Sequence, residues 1–216
     1  MKLFVYDHCP FCVRARMIFG LKNIPFELIA LANDDEETPI KMVGQKMLPI
    51  LQKDDGSYMP ESLDIVHYVD QNYGENVILS SNRSEHIAAI LNDLQQLDYI
   101  LLYPRFIQLG LPEFTNQPAK DYFENKKSQR SGSFADCLNK TALVSEQVEA
   151  LLTQLEKVLK SEQACNDELS IDDICLFPIL RNLTCVKGLR FPAKVRLYIE
   201  TMAKKSKINL YFANAI

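Results

Sequence analysis

No stretch of this chain stays apolar for the roughly 18 residues that a membrane-spanning helix needs. Its opening run, Met1-Lys2-Leu3-Phe4-Val5-Tyr6, is cut short by Asp7. A cleavable export signal needs a longer apolar stretch than that, so a cytoplasmic location is expected. There is no excess of positive charge either: Lys and Arg total 24 against 28 Asp and Glu, a formal net charge of −4. A domain that holds nucleic acid normally shows the reverse balance. Neither a membrane nor nucleic acid is therefore an expected partner. The negative charge lies at the front, because the first 73 residues carry 7 basic and 11 acidic side chains and the remainder 17 of each. No broad positive field surrounds the chain, so a site for an anion must be built locally. Internal repeats and low-complexity tracts are lacking. At 47% apolar residues the chain has material for one large domain or two small ones.

Cysteine is unevenly spread. Cys9 and Cys12 make one C-x-x-C, while Cys137, Cys165, Cys175 and Cys185 are scattered. No second close pair completes a four-ligand zinc site, and no metal is expected. A disulfide framework does not suit a cytosolic chain of this length. The scattered four read as small buried hydrophobes.

Two halves of different texture follow from periodicity. Lys2–Tyr6 and Phe26–Leu31 read as strands, Pro10 to Leu21 as a helix with apolar Val13, Met17, Ile18 and Leu21 at helical spacing. The acidic loop Asn33–Glu37 comes next, then a short helix over Pro39–Val43 and a strand over Pro49–Gln52. Asp54-Asp55-Gly56-Ser57 is a turn, Tyr58-Met59 the returning strand, and Leu63–Tyr73 a helix. The order β-α-β-α-β-β-α is the thioredoxin-like arrangement. From residue 84 onward the pattern is helical, over Ser84–Leu102, Lys120–Arg130, Thr141–Lys160, Ile171–Val186 and Ala193–Lys204. The expected organisation is α/β plus all-α: a thioredoxin-like domain over 1–73, a polar linker over 74–83 and a helical domain over 84–216. Ser170-Ile171-Asp172-Asp173 reads as a capping box, with Leu169 and Ile174 where a hydrophobic staple belongs.

Cys9-Pro10-Phe11-Cys12 falls where a strand hands over to a helix. Two intervening residues in a first helical turn bring the sulfurs within bonding reach. Pro10 suits the first helical position, whose N–H has no helical partner. The helix start carries partial positive charge and free amides that stabilise a thiolate on Cys9. Cys9 is therefore the expected nucleophile, exposed and ionised, and Cys12, one turn inside, the sheltered resolving thiol. A free thiol near pKa 8.5 is about 3% thiolate at neutral pH. Lowering it by ~4 units raises that fraction about 30-fold, but costs roughly 60-fold in nucleophilicity. The gain falls on departure instead, since a low-pKa thiol leaves faster. Such a site is tuned for release from a mixed disulfide.

Three further features surround the pair. Pro49 opens a strand after Met47-Leu48, either as an ordinary edge residue or as a cis proline; a cis turn leaves the Leu48 backbone free to pair with an extended peptide. Glu61-Ser62 precedes a helix, where Ser62 is either a plain N-cap or, with the helix start, a holder of a carboxylate, Glu61 meeting an adjacent ammonium. His8, Arg14 and Arg16 are read as solvated surface groups rather than tuners of the thiolate, because exposed charges beside a helix contribute little.

Tyr6-Asp7-His8-Cys9-Pro10-Phe11-Cys12, Met47-Leu48-Pro49-Ile50-Leu51 and Met59-Pro60-Glu61-Ser62 together resemble the bacterial glutaredoxin 2 family, as do Arg181-Asn182-Leu183-Thr184 and Ile208-Asn209-Leu210. The resemblance runs the full chain. It implies a glutaredoxin domain joined to a helical domain like that of glutathione transferases. It also implies glutathione as reductant, with glutathione-bearing or disulfide-containing proteins as partners; a monomer is the expected state. Catalysis is then expected at Cys9 and Cys12, with glutathione contacts at Pro10, Phe11, Leu48, a cis Pro49, Glu61 and Ser62. Phe11 departs from the family's usual Tyr, and Leu48 from a common Val. Two relatives of the same fold are the alternatives. An omega-like cysteine transferase uses one cysteine, so Cys12 argues against it. A chloride-channel-like protein needs a segment able to insert, which the charged helix Val13–Lys22 is not.

Overall fold

The chain's first half is organised around strand β1 (Lys2–Val5), inside a four-stranded sheet of order β2-β1-β3-β4. It runs parallel to β2 (Glu27–Ala30) and antiparallel to β3 (Ile50–Gln52), which pairs antiparallel with β4 (Tyr58–Pro60). This computed structural model describes residues 1–78 and 84–216. Side chains alternate across a strand, and the alternation divides the core. Leu3, Val5 and Leu51 join the main core with α1 (Pro10–Leu21) and α3 (Ser62–Asn72), while Phe4 and Ile50 pack with Met42 and Val43 of α2 (Glu37–Val43). The element order is the one expected. Helix α2 begins two residues earlier than the pattern suggested, because the Asp35 carboxylate accepts the Thr38 N–H at 2.9 Å and satisfies a first-turn amide.

The second half is helical: α4 (Glu85–Phe106), a 3-10 turn (Pro112–Phe114), α5 (Gln117–Ser131), α6 (Phe134–Asn139), α7 (Thr141–Val158), α8 (Ile171–Leu183) and α9 (Ala193–Ser206). The helices depart from expectation in several places. Helix α5 begins at Gln117 rather than Lys120, where the Asn116 side chain accepts the Ala119 N–H at 2.8 Å. Helix α4 runs past Leu102 and through Pro104, since Arg105 is buried there and donates to the carbonyls of Leu101 at 2.7 Å and Ile216 at 3.0 Å. Helix α6 was not foreseen; the Ser133 hydroxyl caps it by accepting the Asp136 N–H at 3.0 Å. Helix α8 stops at Leu183, where the Thr184 hydroxyl turns back to the Arg181 carbonyl at 2.5 Å. The connector expected over 74–83 falls partly on 79–83, outside the described residues.

One core runs through both halves, because α1 packs on α3 on one side and on α8 and α9 on the other. Gly20 permits the approach of α9: a Cβ there would meet the Ser206 carbonyl oxygen at 1.8 Å, so any side chain forces the two backbones apart. Helix α8 starts at the expected capping box. Its Asp173 does more than cap. The fully buried carboxylate accepts from the N–H groups of Ser170 at 2.9 Å and Cys165 at 2.7 Å, and from the hydroxyls of Ser170 at 3.1 Å and Tyr198 at 2.9 Å.

This ranks the two capping residues. Ser170→Ala should cost about 0.5–2 kcal/mol. Asp173→Ala should cost clearly more, because it strands several buried donors at about 1–3 kcal/mol each. Urea unfolding of both variants measures the difference, and equal losses would contradict the hub role of Asp173.

Candidate active site

Cys9 occupies the position before α1, with extended backbone (φ −71°, ψ 119°), and Pro10 opens the helix. Its sulfur is half-buried rather than fully exposed, and Cys12 is buried. A hydrogen bond from the Cys12 thiol brings the Cys9 thiol down to about 6, against the opposing effect of burial. The charge of His8 and the backbone N–H groups of Cys12 and Phe11 add to that lowering. Burial pushes the Cys12 thiol well above its ordinary value, and the Cys9 sulfur holds its proton further. The other four cysteines are buried; burial raises Cys165 and takes Cys185 up to about 12. The lowered thiol is thus the one at the helix start.

The turn leading into Cys9 is gripped from the far half of the chain. Arg181 of α8, almost wholly buried, donates to the Asp7 carbonyl at 2.7 Å and to the Asp7 carboxylate at 2.7 Å. Arg16 and the Tyr211 hydroxyl each reach the same carboxylate at 2.6 Å. Burial opposes ionisation of Asp7, but Arg181, Arg16 and Tyr211 prevail and hold it far below the usual carboxylate range. Asn182, next on α8, donates to the His8 carbonyl at 2.7 Å. His8 is thus no solvated surface group. It is buried, packed against Tyr6, Phe106, Phe114 and Phe123, and its Nδ1 lies 2.5 Å from Glu113 Oε1. Arg16 is likewise enclosed, with 11% of its side chain exposed. Arg14 lies half-buried, its guanidinium 4.7 Å over the Phe11 ring. For His8 and Arg16, the reading as exposed missed that residues of the second half close over them.

A cleft of about 600 Å³ opens between the halves. Cys9, Pro10, Phe11 and Leu48 line one wall, and Lys126, Lys127 and Arg130 of α5 line the other, with Lys46 at the rim. The one carboxylate lining it, Asp98, is pushed by burial up to about 7. The cleft is therefore cationic in a chain of net negative charge. Leu48-Pro49 is a cis peptide bond. Glu61 and Ser62 lie at the start of α3 and do not line the cleft. Ser62 is buried and is the first helical residue, so the cap position belongs to Glu61 (φ 69°, ψ 114°), correcting the N-cap reading of Ser62.

Two family models divide the chain. Residues 3–77 match the N-terminal domain of glutathione S-transferases, and residues 86–215 match the C-terminal domain of glutaredoxin 2. Glutaredoxin 2 of Escherichia coli (strain K12) is 50% identical over 216 residues, the whole of both chains. The chain belongs to the glutaredoxin 2 family. The crystal structure of glutaredoxin 2 from Salmonella typhimurium in complex with glutathione is 50% identical and superposes with a TM-score of 0.97, covering 100% of this chain and 98% of that one. A glutathione transferase Omega 3C from Trametes versicolor matches at 14% identity and a TM-score of 0.54, over 98% of this chain and 87% of its own. That likeness is one of fold. As a glutaredoxin 2 this protein is a glutathione-dependent thiol–disulfide oxidoreductase, and its first half is the thioredoxin-like one.

Several residues around the cysteines of this glutaredoxin were invisible to motif reading. Glu113 and Lys127 carry no local pattern; only the packing of the 3-10 turn and α5 over Cys9 brings them there. Arg181-Asn182 could be quoted as a family likeness, but nothing in their spacing assigned them a partner.

The lowered Cys9 thiol fixes a pH profile. Its reactive thiolate is present above about pH 6 and lost below it. Alkylation by iodoacetamide should titrate with that midpoint and stay flat above neutrality. Cys12→Ala should move the midpoint up, because the largest stabilising hydrogen bond is gone. A wild-type midpoint near 8.5, where free thiols titrate, would contradict the geometry.

Proposed function

We propose that Cys9 performs the exchange with glutathione mixed disulfides alone, and that Cys12 is needed only for protein disulfides. The carrying observation is the opposed ionisation of two adjacent sulfurs: the contact between them lowers Cys9, while burial, with that contact adding to it, raises Cys12. In the first route the Cys9 thiolate attacks the glutathionyl sulfur and the substrate's thiolate departs. A second glutathione thiolate then attacks the bound glutathionyl sulfur, forming glutathione disulfide and releasing Cys9 as a thiolate. A leaving group with pKa about 6 favours that release. In the second route Cys9 forms a mixed disulfide with the protein substrate. Cys12 attacks the Cys9 sulfur and expels the substrate thiolate, and two glutathiones reduce the resulting Cys9–Cys12 disulfide. Bonding of Cys9 removes the charge that held Cys12 protonated, so the resolving thiol becomes easier to ionise when it is needed.

Glutathione, an anion with two carboxylates, suits the cationic cleft. The Leu48 backbone N–H and C=O have no hydrogen bond among the described residues, which supports pairing with the cysteinyl part of glutathione. Pro10, Phe11 and Pro49 are proposed to flank it, with the γ-glutamyl end at Glu61 and Ser62, where the start of α3 offers free amides. No helix among the described residues is long and apolar enough to cross a membrane, in keeping with a cytoplasmic place of action.

Two single variants test the assignment. Cys9→Ser should abolish turnover of both substrate types. Cys12→Ser should retain turnover of a glutathione mixed disulfide, even raise it, and lose most turnover of protein disulfides. A Cys12→Ser protein dead toward glutathione mixed disulfides, beside an active Cys9→Ser, would reverse the roles.

A further inference from the structure

Glu113 does not line the cleft, yet it is the carboxylate bound to the residue that precedes Cys9. It has no exposed surface. Its Oε1 accepts the His8 main-chain N–H at 2.9 Å and meets His8 Nδ1 at 2.5 Å. Its Oε2 is buried with no hydrogen-bond partner among the described residues. The 3-10 turn that carries it is anchored to the first half: the Asn33 N–H donates to the Glu113 carbonyl at 3.0 Å, and Phe114 stacks on His8 with centroids 5.2 Å apart. The His8 ring is enclosed further by Tyr6, Phe106 and Phe123. A charged ring among apolar neighbours needs an opposite charge to hold it, and a buried carboxylate with one idle oxygen needs the same.

The remaining charged and titratable groups here are accounted for. Asp7 is committed to Arg181, Arg16 and Tyr211. Burial keeps Tyr6 neutral and Cys12 protonated. Lys127 and Asp98 face the cleft from α5 and α4. That leaves Glu113 as the carboxylate bonded to His8. Burial works against its ionisation, and the His8 hydrogen bond and charge overcome this, leaving it lowered.

We propose that Glu113 is a positioning residue for the exchange reaction: by accepting both His8 N–H groups it holds the imidazolium form of His8 against Cys9, which keeps the Cys9 sulfur a thiolate and a good leaving group. This rests on Cys9 being the nucleophile. The sign follows from which charge acts on the thiol. His8 is adjacent to Cys9 and its positive charge lowers the thiol, whereas the Glu113 carboxylate is bonded to His8. Removing the carboxylate removes the reason for the ring to stay charged inside an aromatic enclosure, so the net effect at Cys9 is a rise.

Ultraviolet thiolate absorbance against pH reads this directly on the full-length reduced protein. Glu113→Gln should raise the thiolate midpoint by about one pH unit or more, the size expected when an opposite charge within about 4–6 Å is lost. His8→Phe, which keeps an aromatic ring in place, should raise it by a similar amount. The double variant should go no higher than either single one, since both remove the same charge. A merely structural role would not produce matching, non-additive shifts. An unchanged or lowered midpoint in Glu113→Gln overturns the proposal. If Glu113→Gln does not fold, the nitrogen NMR shifts of the His8 ring in the unsubstituted protein at neutral pH decide: imidazolium supports the proposal and a neutral tautomer overturns it. Cys9→Ser separates the two levels. A thiolate that persists in that variant overturns Cys9 as the nucleophile, and one lost there but unmoved by Glu113→Gln overturns the role of Glu113 alone.

Discussion

The grip of Arg181 on Asp7 is the contact from which the rest of the site hangs. Arg181 is almost wholly inaccessible to solvent, and each of its guanidinium nitrogens has a partner: the carboxylate and carbonyl of Asp7 and the carbonyl of Asn209. Its guanidinium also lies 4.1 Å from the centre of the Tyr211 ring. Breaking such a pair costs about 3–5 kcal/mol, because the surviving charge stays buried and unpaired. The contact joins α8 to the two residues before Cys9, so the helical half does more than cover the sheet. It holds the turn that leads into α1. The close approach of α1 and α9 at Gly20 and the Asn182–His8 bond act in the same direction. A first half detached from the helical half would lose the hold of Arg181 and Asn182 on the turn before Cys9.

Local chemistry was readable in the sequence where it is local in the chain. The strand–Cys-Pro-Phe-Cys–helix junction, the order of the elements and the capping box at Ser170 follow from neighbours within a few residues, and the structure has each of them; the cis Pro49 was implied by the family resemblance, its neighbours leaving it open. What failed to show is long-range. His8 looked like a surface residue because a lone histidine before a helix gives no sign that Phe106, Phe114 and Phe123 will close over it. Glu113 looked like one acid among many. Its meaning depends on a 3-10 turn more than a hundred residues away docking against His8 and Asn33. The boundary at Glu61-Ser62 slipped by one residue because a positive φ at a non-glycine residue reverses which of the two is the cap, and propensity gives no warning of that. Helix α6 is too short for periodicity to reveal.

The electrostatics also refine the chemical argument. With the Cys9 thiol near 6 rather than some four units below a free thiol, the thiolate fraction at neutral pH still rises about 30-fold. The loss of intrinsic nucleophilicity is about 10- to 20-fold, so attack gains by a factor of about two. Departure gains throughout. The site is thereby suited to a carrier that must be loaded and unloaded with the same group. The α5 wall brings cations to an anionic carrier substrate in a chain whose overall charge would repel it.

The most direct measurement of the central claim is mass spectrometry of the Cys12→Ser protein after mixing with oxidised glutathione. If Cys9 is the sole exchanging sulfur, one glutathionyl group is added per chain, it maps to the peptide containing Cys9, and reduced glutathione removes it. A stable adduct on Cys137, Cys165, Cys175 or Cys185 with Cys9 unmodified would contradict the account.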